Sequence, residues 1–194
     1  MDFIRTYEMQ DKSICDKLID RFENDESKYI GMTVDKYGKT IVDKEYKDST
    51  NINFAPDCKE QIFIDYQKEL QIALLKYIEE FQYCNEGGPW TILEPVTVQK
   101  YEPQGGFKAW HFERMNAVFP SATRHIVFLT YLNDVYDLGG TEFFYYPNRT
   151  LQARKGVTAI WPSDWTHTHR GITSPTEKKY IMAGWLNFYI PKVE

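Results

Sequence analysis

Phe107-Lys108-Ala109-Trp110-His111-Phe112-Glu113 is the stretch on which the reading of this chain turns. Side chains at positions i and i+2 of an extended segment point to the same side, so His111 and Glu113 offer an imidazole and a carboxylate to one point in space. Two imidazoles and one carboxylate can hold a divalent ion on one face and leave the opposite coordination positions open. A second histidine must therefore come from elsewhere, and Thr166-His167-Thr168-His169 is the source. That segment alternates as well, so an extended chain puts His167 and His169 on one face, and spacing alone leaves both open as the third ligand.

Other features keep a fixed order around these ligands. Tyr101, within Val98-Gln99-Lys100-Tyr101-Glu102-Pro103, precedes His111 by ten residues, and Arg124 is followed seven residues later by Tyr131-Leu132-Asn133. Gly139-Gly140-Thr141-Glu142-Phe143 reads as a strand start. Lys179 follows His169 by ten residues and opens the run Lys179-Tyr180-Ile181-Met182-Ala183-Gly184-Trp185. On these residues, positions 95 to 189 resemble the catalytic core of the iron(II) and 2-oxoglutarate-dependent dioxygenases, most closely the prolyl 4-hydroxylase-like branch. One departure stands out: the family normally has Asp where this chain has Glu113. Glutamate adds one carbon-carbon bond, about 1.5 Å, and remains a hard oxygen ligand suited to iron(II).

The resemblance implies a role for each residue. His111, Glu113 and His169 are the expected catalytic metal set for Fe(2+), with His169 preferred to His167 by its distance from Lys179. The cosubstrate 2-oxoglutarate is expected to chelate the metal, with O2 taking a remaining position and ascorbate a candidate auxiliary. Lys179 would pair with the far carboxylate of the keto acid, Tyr101 and Tyr131 would donate phenolic hydrogen bonds, and Arg124 would contact substrate. The expected reaction hydroxylates an unactivated C–H bond, foremost that of a prolyl residue in a peptide or protein, with release of succinate and CO2. The same scaffold also accommodates free amino acids, other peptide side chains and small metabolites. The residues carry plainer readings too: Arg124 at a strand start suits a surface ion pair, His125 suits packing, and Trp161 and Trp185 suit a core.

Two other classes compete. A zinc hydrolase could use the same ligands to activate water, but it has no need of Lys179. A ligand-binding jelly roll without chemistry has no need of the His-Glu-His set.

Composition agrees with one compact enzyme. The 194 residues suit a single domain over 1–194, with 42% hydrophobic and 16% aromatic residues to build its core. The net charge of −5 and the lack of a dense Lys/Arg stripe argue against a nucleic-acid partner. No run of 18 apolar residues suggests a membrane span, and the first residues lack the pattern of a secretory signal. Cys15, Cys58 and Cys84 are odd in number and far apart, which suits reduced thiols and a cytoplasmic location.

Helical spacing predicts a short amphipathic helix at about 11–24, carrying Ile14, Leu18, Ile19 and Phe22, with Ser13 and Asp16 as an imperfect capping pair. A longer one is expected over 57–82, with the stripe Ile62, Tyr66, Leu70, Leu74, Ile78 and Phe81, ending at Asn85-Glu86-Gly87-Gly88-Pro89. The polar stretch 25–56 reads as a long loop shaping a substrate entrance. Short β-type runs follow at 95–101, 107–112, 124–132, 140–146, 151–154, 156–161, 166–170 and 178–189, separated by turn signals. The expected fold is mainly β with flanking helices: a double-stranded β-helix of the jelly-roll, cupin type over 95–189, supported by the helices and lid loop of 1–94.

Overall fold

The computed structural model describes residues 2–34 and 39–189. In chain order, the elements before the barrel are β1 (Arg5–Glu8), α1 (Ser13–Glu23), β2 (Tyr29–Ile30), β3 (Thr33–Val34), β4 (Thr40–Ile41), β5 (Lys47–Asp48), β6 (Thr50–Phe54), α2 (Gln61–Glu80) and β7 (Trp90–Thr91). Those of the barrel are β8 (Val96–Tyr101), β9 (Gly106–Phe107), β10 (Arg124–Tyr131), β11 (Thr141–Phe143), β12 (Tyr146–Leu151), β13 (Val157–Pro162), β14 (His169–Gly171) and β15 (Lys179–Phe188).

Eight strands make the larger sheet, in the order β1-β13-β10-β15-β8-β6-β2 with β7 also paired to β15, and every pairing is antiparallel. The smaller sheet is β12-β11-β14. His111 extends it through a bridge to His169, the two backbones exchanging N–H···O bonds of 3.0 and 2.8 Å. Strands 8, 10, 13 and 15 thus face a sheet built from 11, 12, 14 and the His111 segment, which is the double-stranded β-helix expected from the sequence. No described helix is long and apolar enough to cross a membrane.

Two packed layers follow from strand alternation. On β10, Ile126 and Phe128 turn toward the helices, where they join Leu18, Phe22, Phe63, Tyr66 and Leu70 in one core. Val127, Leu129 and Tyr131 turn the other way and join Phe143, Trp161 and Ile181 between the sheets. A strand covered on both faces needs an unbroken apolar run, and 126–131 is buried throughout. The same parity on β15 sends Tyr180, Met182 and Leu186 to the helical side and Lys179 and Ile181 to the barrel interior. Gly184 pairs with Phe128, whose ring would lie 2.6 Å from a Cβ at that position, so the close approach requires glycine.

The first helix carries the expected face, with Ile14, Cys15, Leu18 and Phe22 buried. Its entry differs from the expected pairing: Asp11, not Asp16, accepts the Ser13 N–H, at 2.9 Å. In α2 the buried face is Phe63, Tyr66, Leu70, Ala73, Leu74 and Tyr77. Successive i+4 steps rotate by about 40° at 100° per residue, so the expected stripe winds off the face, and Ile62 and Ile78 are only partly buried at its margins.

Three segments depart from the sequence reading. Residues 25–56 contain β2 to β6, and β6 is a five-residue strand of the larger sheet rather than loop. Arg5–Glu8 forms an edge strand on β13 that alternates half-buried and exposed residues. The run expected at 151–154 is displaced to Tyr146–Leu151, because β11 ends at Phe143 with a register shift against β12.

Candidate metal centre and the cavity around it

His111 and Glu113 follow β9 at the edge of the small sheet, and His169 begins β14. The backbone bridge between the two histidines brings their rings to 4.4 Å. Nε2 of His111 lies 3.5 Å and Nε2 of His169 3.4 Å from Oε1 of Glu113, and the three ligand atoms lie within 4.8 Å of one another.

The ring orientations are set from outside. Nδ1 of His111 is 3.0 Å from the carbonyl oxygen of Ala109, and Nδ1 of His169 is 2.9 Å from that of His167. A carbonyl only accepts, so each Nδ1 carries the proton, and both Nε2 lone pairs are turned toward the Glu113 carboxylate. Burial, reinforced by His169, lowers the pKa of His111 and disfavours a second proton there. Burial alone would raise the Glu113 carboxyl, but a proton carried at Nε2 of either imidazole outweighs it through a hydrogen bond and its charge and holds the group well below the ordinary carboxylate range. Three Lewis bases meeting in this way could hold a cation, and two imidazole nitrogens with one carboxylate oxygen are a donor set suited to a mononuclear iron(II) site.

His167 does not share this face. Trp165–His167 is a turn of 3-10 helix, which breaks the alternation expected for 166–170. Its ring packs near Tyr146 and Phe3, and burial lowers its pKa to about 4.

A cavity of about 670 Å³ opens beside the three residues, between the two sheets. Tyr101, Tyr131, Arg124 and Lys179 all line it. Lys179 is 4% exposed, donates to the carbonyls of Gly139 at 2.7 Å and Ile172 at 3.1 Å, and lies 5.2 Å over the Tyr101 ring. Burial brings its pKa down to about 8. Tyr101 donates to Gln99 Oε1 at 2.6 Å and the Tyr131 hydroxyl is 2.7 Å from Thr141 Oγ1; burial raises both phenols, so they stay protonated.

Arg124 is engaged already. Its Nε and Nη2 donate to the two oxygens of Glu94 at 2.8 and 2.5 Å, Nη1 donates to the Glu113 carbonyl at 2.9 Å, and the guanidinium lies 3.6 Å over Trp185. Nη1 is also 3.7 Å from Glu113 Oε2, the oxygen that does not face the histidines. Glu94 went unread in the sequence, since a Glu before a Pro carries no signal until β15 brings Asn187 Nδ2 to within 2.9 Å of it. His125 packs beneath Phe188 and meets the Cys84 carbonyl at 2.7 Å, while Trp161 is buried against Phe143 and His169. Residues Tyr29, Met32, Tyr46 and Lys47 of the 25–56 segment, with Met115 and Asn116 after Glu113, form the mouth.

Fold and site define a double-stranded β-helix with a candidate His-Glu-His metal centre. Residues 96–187 match the family model of the 2OG-Fe(II) oxygenase superfamily. No curated protein sequence matches the chain. Among solved structures, it is similar to the viral collagen prolyl hydroxylase vCPH from Paramecium Bursaria Chlorella virus-1 in its 2OG complex, at 14% identity over 97% of each chain with a TM-score of 0.69. A Pseudomonas putida prolyl-4-hydroxylase is similar at 12% identity over 96% of this chain and 94% of that one, TM-score 0.69. A Trichoplax adhaerens prolyl hydroxylase, in complex with a hypoxia inducible factor oxygen degradation domain peptide fragment, is similar at 13% identity over 96% and 84%, TM-score 0.72.

Proposed function

We propose that this protein is an iron(II)- and 2-oxoglutarate-dependent hydroxylase acting on a prolyl residue of a peptide or protein. His111, Glu113 and His169 would hold the metal, and Lys179 the distal carboxylate of the keto acid. When bound, metal and keto acid supply the oxidising chemistry, in which O2 converts 2-oxoglutarate to succinate and CO2 and delivers one oxygen atom to a C–H bond of substrate.

The observation that carries this reading is the pair of Nδ1–H bonds that aim both Nε2 lone pairs at one carboxylate oxygen. Lys179 adds the second element. A buried ammonium whose only hydrogen-bond partners among the described residues are two neutral carbonyls has lost its water shell without gaining an opposite charge, and a dianionic ligand would provide that charge. Tyr101 and Tyr131, kept protonated by burial, are donors on the same wall. Arg124 acts as a positioning residue: by gripping the backbone and lying near Oε2 of Glu113, it keeps the longer glutamate arm turned so that Oε1 faces the imidazoles. Val127, Leu129 and Ile181 make the inner wall apolar and exclude water.

Support for a peptide comes from the mouth, where Met115, Val118 and Phe119 are 55–70% exposed beside the opening, and from the three prolyl hydroxylases of similar fold, one of them seen with a peptide. The test is iron(II)-dependent release of succinate from 2-oxoglutarate, lost on His111→Ala, followed by a 16 Da gain on Pro-rich peptides. Succinate formation without a mass gain on any prolyl peptide would move the substrate elsewhere. Absence of succinate would overturn the activity itself.

A further inference from the structure

The cavity holds a second inward cation that neither the metal nor the keto acid needs. We propose that Lys47 binds a carboxylate on the substrate, which makes the substrate class a carboxylate-bearing amino-acid derivative or peptide; the inference rests on the oxygenase reading above.

Lys47 sits on β5, whose pairing with β9 sets it opposite Phe107. Its Nζ lies 5.1 Å from the centre of the Phe107 ring, and that ring stacks on His111 at 3.6 Å, so the ammonium stands within one aromatic ring of a metal ligand. Among the described residues the Lys47 ammonium has no hydrogen bond and no ion pair, its ring contact apart. Burial lowers its pKa, with the Glu113 charge acting in the opposite direction.

Charge counting shows what is missing. Among the described residues lining the cavity, Glu113 is the one carboxylate, against Lys47, Arg124 and Lys179. Glu94 neutralises Arg124, a divalent metal and a dicarboxylate cancel each other, and Glu113 balances one lysine. Lys47 is left over. A partly buried ammonium with no carboxylate in contact costs folding free energy, and a substrate carboxylate removes that cost. The same wall presents Asn51, 3% exposed, whose Oδ1 has no hydrogen-bond partner. An unused acceptor beside an unpaired cation suits a ligand with both a carboxylate and an N–H, as amino-acid derivatives have.

The experiment uses the full chain loaded with Mn(II) and 2-oxoglutarate, and follows tryptophan fluorescence, since Trp161 and Trp185 line the cavity. N-acetylproline is titrated against N-acetylprolinamide, then matched acid and amide pairs of the other N-acetyl amino acids. At least one acid binds tenfold or more tighter than its amide, about the size expected for a charge-assisted hydrogen bond. Lys47→Met brings that preference near unity while 2-oxoglutarate affinity stays within about twofold, and Lys47→Arg retains it. Equal binding of acid and amide across the panel, or a preference that survives in Lys47→Met, overturns the proposal. So does a Lys47→Met protein that loses affinity for 2-oxoglutarate instead, which would give the lysine to the cosubstrate. Failure of the wild-type chain to bind 2-oxoglutarate at all would refute the oxygenase reading first, and this one with it.

Discussion

Replacing Lys179 with methionine separates what the fold gains from this lysine from what a ligand gains. Burial lowers its pKa from the ordinary 10.5 to about 8. At 1.36 kcal/mol per pKa unit, keeping it charged at pH 7 costs the folded state about 3 kcal/mol. Methionine removes that cost, but it also removes the donors to the Gly139 and Ile172 carbonyls, each bond contributing about 1 kcal/mol. The two changes nearly cancel. The melting temperature of the ligand-free Lys179→Met protein therefore stays within about 4 °C of wild type.

Binding behaves differently. Loss of a charge-assisted contact to the distal carboxylate lowers 2-oxoglutarate affinity by about 10- to 200-fold in calorimetry on the Mn(II)-loaded protein. The pH dependence adds a second reading. Because the folded pKa is depressed, the stability penalty is fully present below pH 8 and is relieved as pH rises from 8 to 10.5, where the unfolded chain holds more protons. Ligand-free wild type thus gains stability across that window and Lys179→Met does not. A bound dianion favours the ammonium, so wild-type affinity for 2-oxoglutarate falls above about pH 8, by up to about tenfold per unit, and the variant's is flat. A drop in melting temperature of more than about 10 °C, with 2-oxoglutarate affinity unchanged, would mark Lys179 as a structural lysine and rule out its contact with the keto acid.

Other outcomes follow from the same geometry. Glu94→Gln leaves Arg124 without its counter-charge and loosens Glu113, so Mn(II) affinity falls about 10- to 100-fold in titration while the fold is retained. Metal at 100 times its dissociation constant stabilises the chain by about 2.7 kcal/mol, a rise of about 5–10 °C in melting temperature that is reversed by a chelator and absent in His111→Ala. Gly140→Ala puts a Cβ 2.1 Å from the Leu151 backbone oxygen, where no side chain can yield, and costs about 3 kcal/mol in urea denaturation without altering the ligands themselves.

The legible parts of this chain were those whose signal lies within a few residues. His111 and Glu113 could be paired because an i, i+2 relation needs only local extension, and the bridge at His111 provides it. The face of α1 was visible as periodicity and β10 as a β-type run. Strands two residues long, such as β5 and β9, have no period to read; they exist because the opposite strand supplies the hydrogen bonds. His167 was misplaced because a 3-10 turn and an extended segment share the same composition, and the turn is held by Asp164 and Trp165 carbonyls.

Residue chemistry alone settled the kind of centre this chain can build: nitrogen and oxygen donors for a hard divalent metal, a lysine ten residues past the last of them, and enough apolar strand to enclose both. Which histidine turns inward, which way each ring faces, that Arg124 grips Glu113 rather than standing free, and that Lys47 reaches the same cavity were decided by the assembled sheets. Donor identity is a property of a side chain, whereas convergence depends on strand register between segments tens of residues apart, and a one-residue slip in that register would turn every one of these groups to the other face.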